Sequence, residues 1–320
     1  MKLKGFYNLL VSMHPSIEVL LRKLYWNNDY LIKRYNEKKN RVVEPSVKVG
    51  LSTIVSALSS LGIREGDILI VHSSYESFQK SCADIIEPNK LIGILAELIG
   101  DTGTLAFPTH PLYSKEKVSK QTIKYNDDIN EILTYDVRKT LAWTGFLPNV
   151  FLRMPGVIRS KHPINTLAAL GPLASEMMRK NIEGELPLAC GANSSWKFCA
   201  DRKAKILGLG VDLVHSLTMM HVAEDSNPNW PIREWYRKRT FKIIDGIDEQ
   251  ILTVAERKPK WTINVAERCF RKDLIKEGIL RIVSVGELQI EYINDSKELI
   301  DYLNSKNANG YPYYFGRKLS

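Results

Sequence analysis

The chain has 320 residues, 44% hydrophobic and 25% charged, with a formal net charge of +9. That balance describes a folded globular protein and excludes a disordered or collagen-like chain. No apolar run approaches the ~20 residues of a membrane span, which leaves no integral membrane segment. The first stretch, MKLKGFYNLLVSMHPSIEVLLRK, has a basic start and an apolar patch. His14 and Pro15 interrupt the patch and no small-residue cleavage site follows, so an amphipathic element is expected rather than a signal peptide. Residues 1–45 hold nine Lys/Arg against four Asp/Glu and form a basic helical extension. A basic excess suits anionic partners, but no zinc-finger spacing, RNA-recognition signature or strong helix-turn-helix pattern is present, so no nucleic acid is expected. Cys82, Cys190, Cys199 and Cys269 lack metal-type spacing, which points to free thiols in a reducing cytoplasm and to no metal.

Past the extension, residues 46–320 read as one α/β domain: a mixed central sheet with flanking helices. Val49–Leu61 has helical apolar spacing and closes at Gly62. Ile68–Val71 is an unbroken apolar strand whose end carries His72, Ser73 and Ser74. Leu91–Ile99 is expected to be a helix and Thr104–Phe107 a second strand, tipped by Pro108, Thr109 and His110. Ligands gather at such strand ends, where loops and helix N-termini present free amides. Residues 111–134 are polar and Lys-rich with little periodicity, a long excursion or lid. Tyr135–Arg153 carries Asp136, Thr144 and Gly145 ahead of a helix.

The stretch Arg153–Gly171 is the densest in chemistry. Pro155–Gly156 and Pro163 break regular structure and place Arg159, Ser160 and His162 on a fixed loop. Small residues follow from Leu167. A helix is expected over Pro172–Lys180, another after the capping Ser194, a strand at Lys205–Gly210 and a helix over Ser216–Glu224. On that last helix His221 and Glu224 are three apart and share a face. A carboxylate among Leu217, Met219, Met220 and Val222 wants a partner. Either an ordinary salt bridge or a histidine from another loop supplies one, and the latter makes an oriented general base. Beyond residue 240 the pattern is weaker: strands at Ile279–Val285 and Leu288–Ile293, a helix at Ser296–Leu303, and a tail, NGYPYYFGRKLS, open to docking on the body or to homo-oligomer assembly.

Taken together, VHSS, GDTGTLAFPT, RSKHPINTLAALGPLA and ILGLGVD…HVAE, in this order over about residues 47–235, resemble the aminoglycoside 3-N-acetyltransferase family. The resemblance implies an α/β domain with its own fold, acyl-coenzyme A (acetyl or longer) as donor, and an amine on a sugar-like acceptor. It places the family's base on His162 and its orienting acid on Glu224. Ser73, Ser74, Thr166 and His221 fall in supporting or oxyanion positions. His72, Ser73, Ser74, Thr109, Gly145, Arg159 and Ser160 fall where pantetheine and phosphates are expected, with the planar Arg159 fork suited to phosphate. Where many members carry Thr-His-Ser after the His-Pro pair, this chain has Ile164-Asn165-Thr166.

Charge steers the acceptor reading. An aminoglycoside is a polycation and calls for an acidic site, whereas Ser226–Lys242 carries five basic residues against one acidic, interleaved with Trp230, Trp235 and Tyr236. Basic plus aromatic suits a pyrophosphate and a stacked base. The expected acceptor is therefore a nucleotide-linked amino sugar, such as a dTDP-3-amino-3,6-dideoxyhexose for lipopolysaccharide synthesis. Asp136, Asn165, Trp230, Arg233, Trp235, Arg237 and Arg239 are its expected contacts. The alternatives are an aminoglycoside 3-N-acetyltransferase and a non-enzymatic anionic-ligand binding protein on the same fold.

Overall fold

A computed structural model describes residues 13–28, 30, 31, 33, 47–113, 131–213, 216–230, 233–258, 264–308 and 313. The expected excursion falls largely on 114–130, outside the described residues, as do most of the extension and the tail.

Three apolar strands form the centre: β1 (Ile68–Ser73), β2 (Thr104–Pro108) and β6 (Lys205–Leu209). β1 pairs in parallel with both neighbours, Ile70 opposite Ala106 on one side and Ile206 on the other. Continuous burial along each strand means that both faces are covered, as parallel sheets require. Ile68, Ile70, Ala106 and Ile206 enter one core; Leu69, Val71, Leu105, Phe107 and Leu207 enter the other. The helices Pro88–Glu97 and Phe146–Phe151 cover the second face through Leu91, Leu95, Leu147 and Phe151. The helix Ser195–Asp201 covers the first through Trp196 and Cys199.

Antiparallel strands extend the sheet at each edge. β4 (Ile158–Arg159) and β5 (Leu167–Leu170) lie beyond β2; β9 (Leu280–Val285) and β10 (Leu288–Ile293) lie beyond β6. The order is β4-β5-β2-β1-β6-β10-β9, so the sheet is mixed, as expected. Arg159 thus sits in a short edge strand rather than on the expected loop, because β4 pairs with the small residues Ala168 and Ala169 of β5. A second sheet joins β3 (Leu133–Asp136) to a long hairpin of β7 (Tyr236–Asp245) and β8 (Asp248–Arg257). That hairpin has no counterpart in the sequence reading.

Parallel pairing puts the C-terminal ends of β1, β2 and β6 on one edge. His72-Ser73, Pro108-Thr109-His110 and Gly210 meet there. Gly210 adopts φ +67°, and a Cβ on it would lie 2.8 Å from the backbone nitrogen of Phe78. The turn after β6 therefore needs glycine to pass the helix Tyr75–Ser81. The helix expected over Ser216–Glu224 splits into a 3-10 turn, Thr218–His221, and a short α-helix, Val222–Asp225. Within the extension, the helix Pro15–Trp26 packs on the helix Glu267–Lys276: Glu18 accepts from the nitrogens of Arg268 and Cys269 at 2.8 and 2.9 Å, and Arg22 pairs with Glu267 at 2.7 Å.

Candidate active site

Glu224 is 1% exposed, and its carboxylate meets His221 and Arg257. His221 Nδ1 lies 3.2 Å from both of its oxygens, across the junction between the 3-10 turn and the α-helix. Arg257 Nη2, from the end of β8, lies 2.8 Å from Oε2. The guanidinium also reaches Asp225 Oδ1 at 3.5 Å. Asp225 is itself held by the Tyr236 hydroxyl at 2.6 Å and by the Cys190 backbone nitrogen at 3.0 Å. Burial penalises the charge on Arg257, but Glu224 and Asp225 outweigh it and hold the guanidinium above its ordinary value. With Nδ1 donating to the carboxylate, the tautomer leaves Nε2 as the acceptor. The His221 side chain keeps 25% exposure, and Nε2 meets no partner among the described residues.

The expected pairing of His162 with Glu224 is not what the structure builds. His162 Nδ1 lies 3.0 Å from the Ile164 carbonyl oxygen and Nε2 lies 3.4 Å from that of Pro187. Its ring is 3% exposed, and burial lowers its pKa, partly offset by those two carbonyls. The turn between β4 and β5 tucks the imidazole inward, while the three-residue spacing brings His221 to the carboxylate instead.

Arg159 and Ser160 do not face a phosphate site either. Arg159 donates to the carbonyl oxygens of Val137 at 3.3 Å, Thr140 at 2.6 Å and Thr109. Ser160 Oγ accepts from the His162 nitrogen at 3.1 Å, and its carbonyl accepts from the Tyr135 hydroxyl at 2.7 Å. These groups satisfy buried backbone where the two sheets meet. Thr109 and Thr166 hydroxyls bond each other at 3.1 Å. Ser74 caps the helix Tyr75–Ser81, Gly145 at φ +128° opens the helix Phe146–Phe151, and Asp136 Oδ1 accepts from the nitrogens of Arg138 and Lys139 at 2.9 Å. Asn165 holds φ +48° and its carbonyl accepts from Trp196 Nε1 at 2.6 Å.

The basic and aromatic group is spoken for as well. Arg237 lies 2.6 Å and Arg239 3.4 Å from Glu256 across the hairpin. Trp230 packs edge-on against buried Trp235 at 5.0 Å. The Arg233 side chain lies outside the described residues.

His72 and Ser73 do come together, on the wall of a cavity of about 220 Å³ at the strand ends, with His110, Trp143, Thr144 and Thr218. Burial pushes the His72 pKa down to about 4. Burial, with repulsion from His72, His221 and Arg159, takes His110 down to about 3. Both imidazoles are therefore neutral near pH 7. Ser73 Oγ and the Nε2 atoms of both histidines are buried without a hydrogen-bond partner among the described residues. His110 was legible as a polar strand tip but carries no motif. Arg257 has no local signal, because only the folding of the hairpin brings it to Glu224.

A mixed α/β sheet with a histidine–carboxylate pair beside a cavity at its strand ends defines a class able to accept a proton from a nucleophile. The chain matches the aminoglycoside 3-N-acetyltransferase family over residues 70–306 and belongs to that family. It is 28% identical over 185 residues to aminoglycoside N(3)-acetyltransferase IX of Micromonospora chalcea, covering 54% of this chain and 60% of that one. It is 30% identical over 176 residues to aminoglycoside N(3)-acetyltransferase III of Salmonella sp, covering 53% and 58%. The chain thus spans about 60% of the length of these curated relatives. Among solved structures, AAC-IIIb in a binary complex with CoASH matches with a TM-score of 0.64 and 18% identity, covering 84% of this chain and 99% of that one. The apoenzyme of aminoglycoside acetyltransferase AAC(3)-IVa matches with a TM-score of 0.59 and 20% identity, covering 82% and 90%. At that identity the structures establish the fold.

These comparisons overturn the nucleotide-linked amino sugar as acceptor, and with it a place in lipopolysaccharide synthesis: the relatives are aminoglycoside acetyltransferases. The physical reason is on the hairpin, where Glu256 already pairs with the arginines that were to meet a pyrophosphate. No helix among the described residues is long and apolar enough to cross a membrane.

Proposed function

We propose that this chain transfers an acyl group from acyl-coenzyme A to an amine of an aminoglycoside, with His221 as general base and Glu224 as its orienting carboxylate. The observation that carries the reading is the His221–Glu224 contact at 3.2 Å, with Nε2 unpartnered on a partly exposed ring. An alkylammonium is not a nucleophile, so the acceptor first gives one proton to solvent and attacks as the neutral amine. The amine nitrogen bonds to the thioester carbonyl carbon while its proton passes to His221 Nε2. The C–S bond then breaks, the carbonyl re-forms, and the proton on the imidazolium goes to the departing thiolate. Glu224 keeps Nδ1 protonated and stabilises the transient imidazolium. Family membership supports the donor and acceptor classes.

The test is thiol release from acetyl-coenzyme A in the presence of a panel of aminoglycosides, with the acylated product checked by mass. Release that depends on both substrates is the expected result; none with any member of the panel overturns the acceptor reading.

A further inference from the structure

The cavity at the strand ends is poorly matched to either charged substrate part. Its described lining contains no carboxylate to meet a polycation and no Lys or Arg to meet a phosphate. Its two histidines are neutral near pH 7, with pKa values of about 4 and 3. Val71, Pro108, Pro148 and Val211 make much of the wall apolar, and Trp143 stands at 63% exposure beside it. At about 220 Å³ the cavity also falls below the ~300–1,000 Å³ of sites that enclose drug-sized ligands. What it can hold is small, uncharged and largely apolar.

Its position relative to the base is fixed by helix geometry. Thr218 lines the cavity and opens the 3-10 turn that ends at His221. Residues three apart in a 3-10 helix eclipse one another, so His221 stands one turn along the same face as a wall residue. The part of the substrates that is uncharged and must lie beside the base is the thioester end of the donor.

We propose that this cavity is the acyl subsite and that it is built for acyl groups longer than acetyl, with Val211 part of the apolar wall that such a chain would touch. The inference rests on the donor reading given above. An apolar protein cavity of ~150 Å³ holds a benzene, six carbon atoms. An acetyl group brings three heavy atoms, so most of 220 Å³ would go uncontacted behind it. A butanoyl or hexanoyl chain brings the apolar wall into contact, and each buried methylene is worth ~0.8 kcal/mol, or roughly fourfold in affinity.

The experiment uses stable thioether analogues, S-ethyl-, S-butyl- and S-hexyl-coenzyme A, titrated calorimetrically into the full chain, so that no acceptor is needed. Affinity is expected to rise by at least tenfold from ethyl to hexyl. Val211→Phe should shrink that ratio to near one, and the milder Val211→Leu should shrink it partway and serve if the Phe variant does not fold. Equal binding of the three analogues overturns the long-acyl subsite and leaves the donor reading standing. A preference for hexyl that both variants retain also overturns it, because the chain then lies outside this cavity. Failure of every analogue and of coenzyme A itself to bind overturns the donor reading, and the inference falls with it.

Discussion

Arg257 Nη2 lies 2.8 Å from Glu224 Oε2, so the carboxylate that orients His221 is shared with a guanidinium delivered by the second sheet. Removing one partner of a buried pair leaves an uncompensated charge, typically a loss of ~3–5 kcal/mol. Arg257→Met should therefore lower the melting temperature. It should also lower kcat with little change in either KM, because Glu224 loses the partner that holds its carboxylate in place beside His221 Nδ1. Arg257→Lys should restore part of the loss. A lowered melt with an unchanged kcat would show that Arg257 only supports the fold.

The two histidines singled out by motif make separate predictions. His221→Asn should cut kcat by ~10²–10⁴-fold, the usual range for a lost general base, with donor binding little changed. His162→Asn should act on stability instead, since its ring nitrogens face the Ile164 and Pro187 carbonyls. Melting curves and steady-state kinetics on both variants decide it: a collapse of kcat in the His162 variant with an unchanged melt would reverse the assignment.

Much of the frame was legible because it is written in short-range pattern. Ile68–Val71 and Ile206–Leu209 are unbroken apolar runs, and the parallel pairing of β1 with β2 and β6 accords with burial on two faces. The His221–Glu224 face was legible from spacing alone. What was not legible depends on long-range closure. Arg159 looks like a phosphate ligand by residue type, yet three backbone carbonyls from two other segments claim it. Arg237 and Arg239 read as an anion site until β7 and β8 pair and set Glu256 across from Arg237. The hairpin itself hides because largely buried Arg237 and Arg239 break the apolar alternation that Phe241, Ile243, Val254 and Ala255 would otherwise show on its buried side.

Burial of His72 and His110 in neutral form ties stability to pH. Both fold with pKa values below the ordinary 6.5, at about 4 and about 3. The unfolded chain therefore binds more protons than the native one below pH 6.5. Their contribution is complete above that value and is lost as pH falls toward the folded values. Between pH 6.5 and 5 each histidine should cost about 2 kcal/mol. The pH dependence of urea midpoints over this window should be visibly flatter in His110→Asn than in the wild type. An equal slope in both would mean that His110 does not stay neutral in the folded state.

The last prediction concerns the hairpin arginines, whose role changed most between sequence and structure. Glu256 Oε2 sits 2.6 Å from Arg237 Nε and 3.4 Å from Arg239 Nη1, and the two arginine side chains are 6% and 2% exposed. Two guanidiniums so far from water repel one another and rely on nearby carboxylates for compensation. Glu256→Gln removes that charge while keeping size and hydrogen-bonding capacity. If the cluster is structural, the variant should melt several degrees lower and the loss should shrink in high salt, which screens the remaining repulsion. The KM values for donor and acceptor should stay within about twofold, because a group that binds neither substrate moves neither ground state. Thermal melts at two salt concentrations and paired KM measurements decide between the readings. A Glu256→Gln variant that melts like the wild type but binds an anionic ligand more tightly would return the arginines to a binding role.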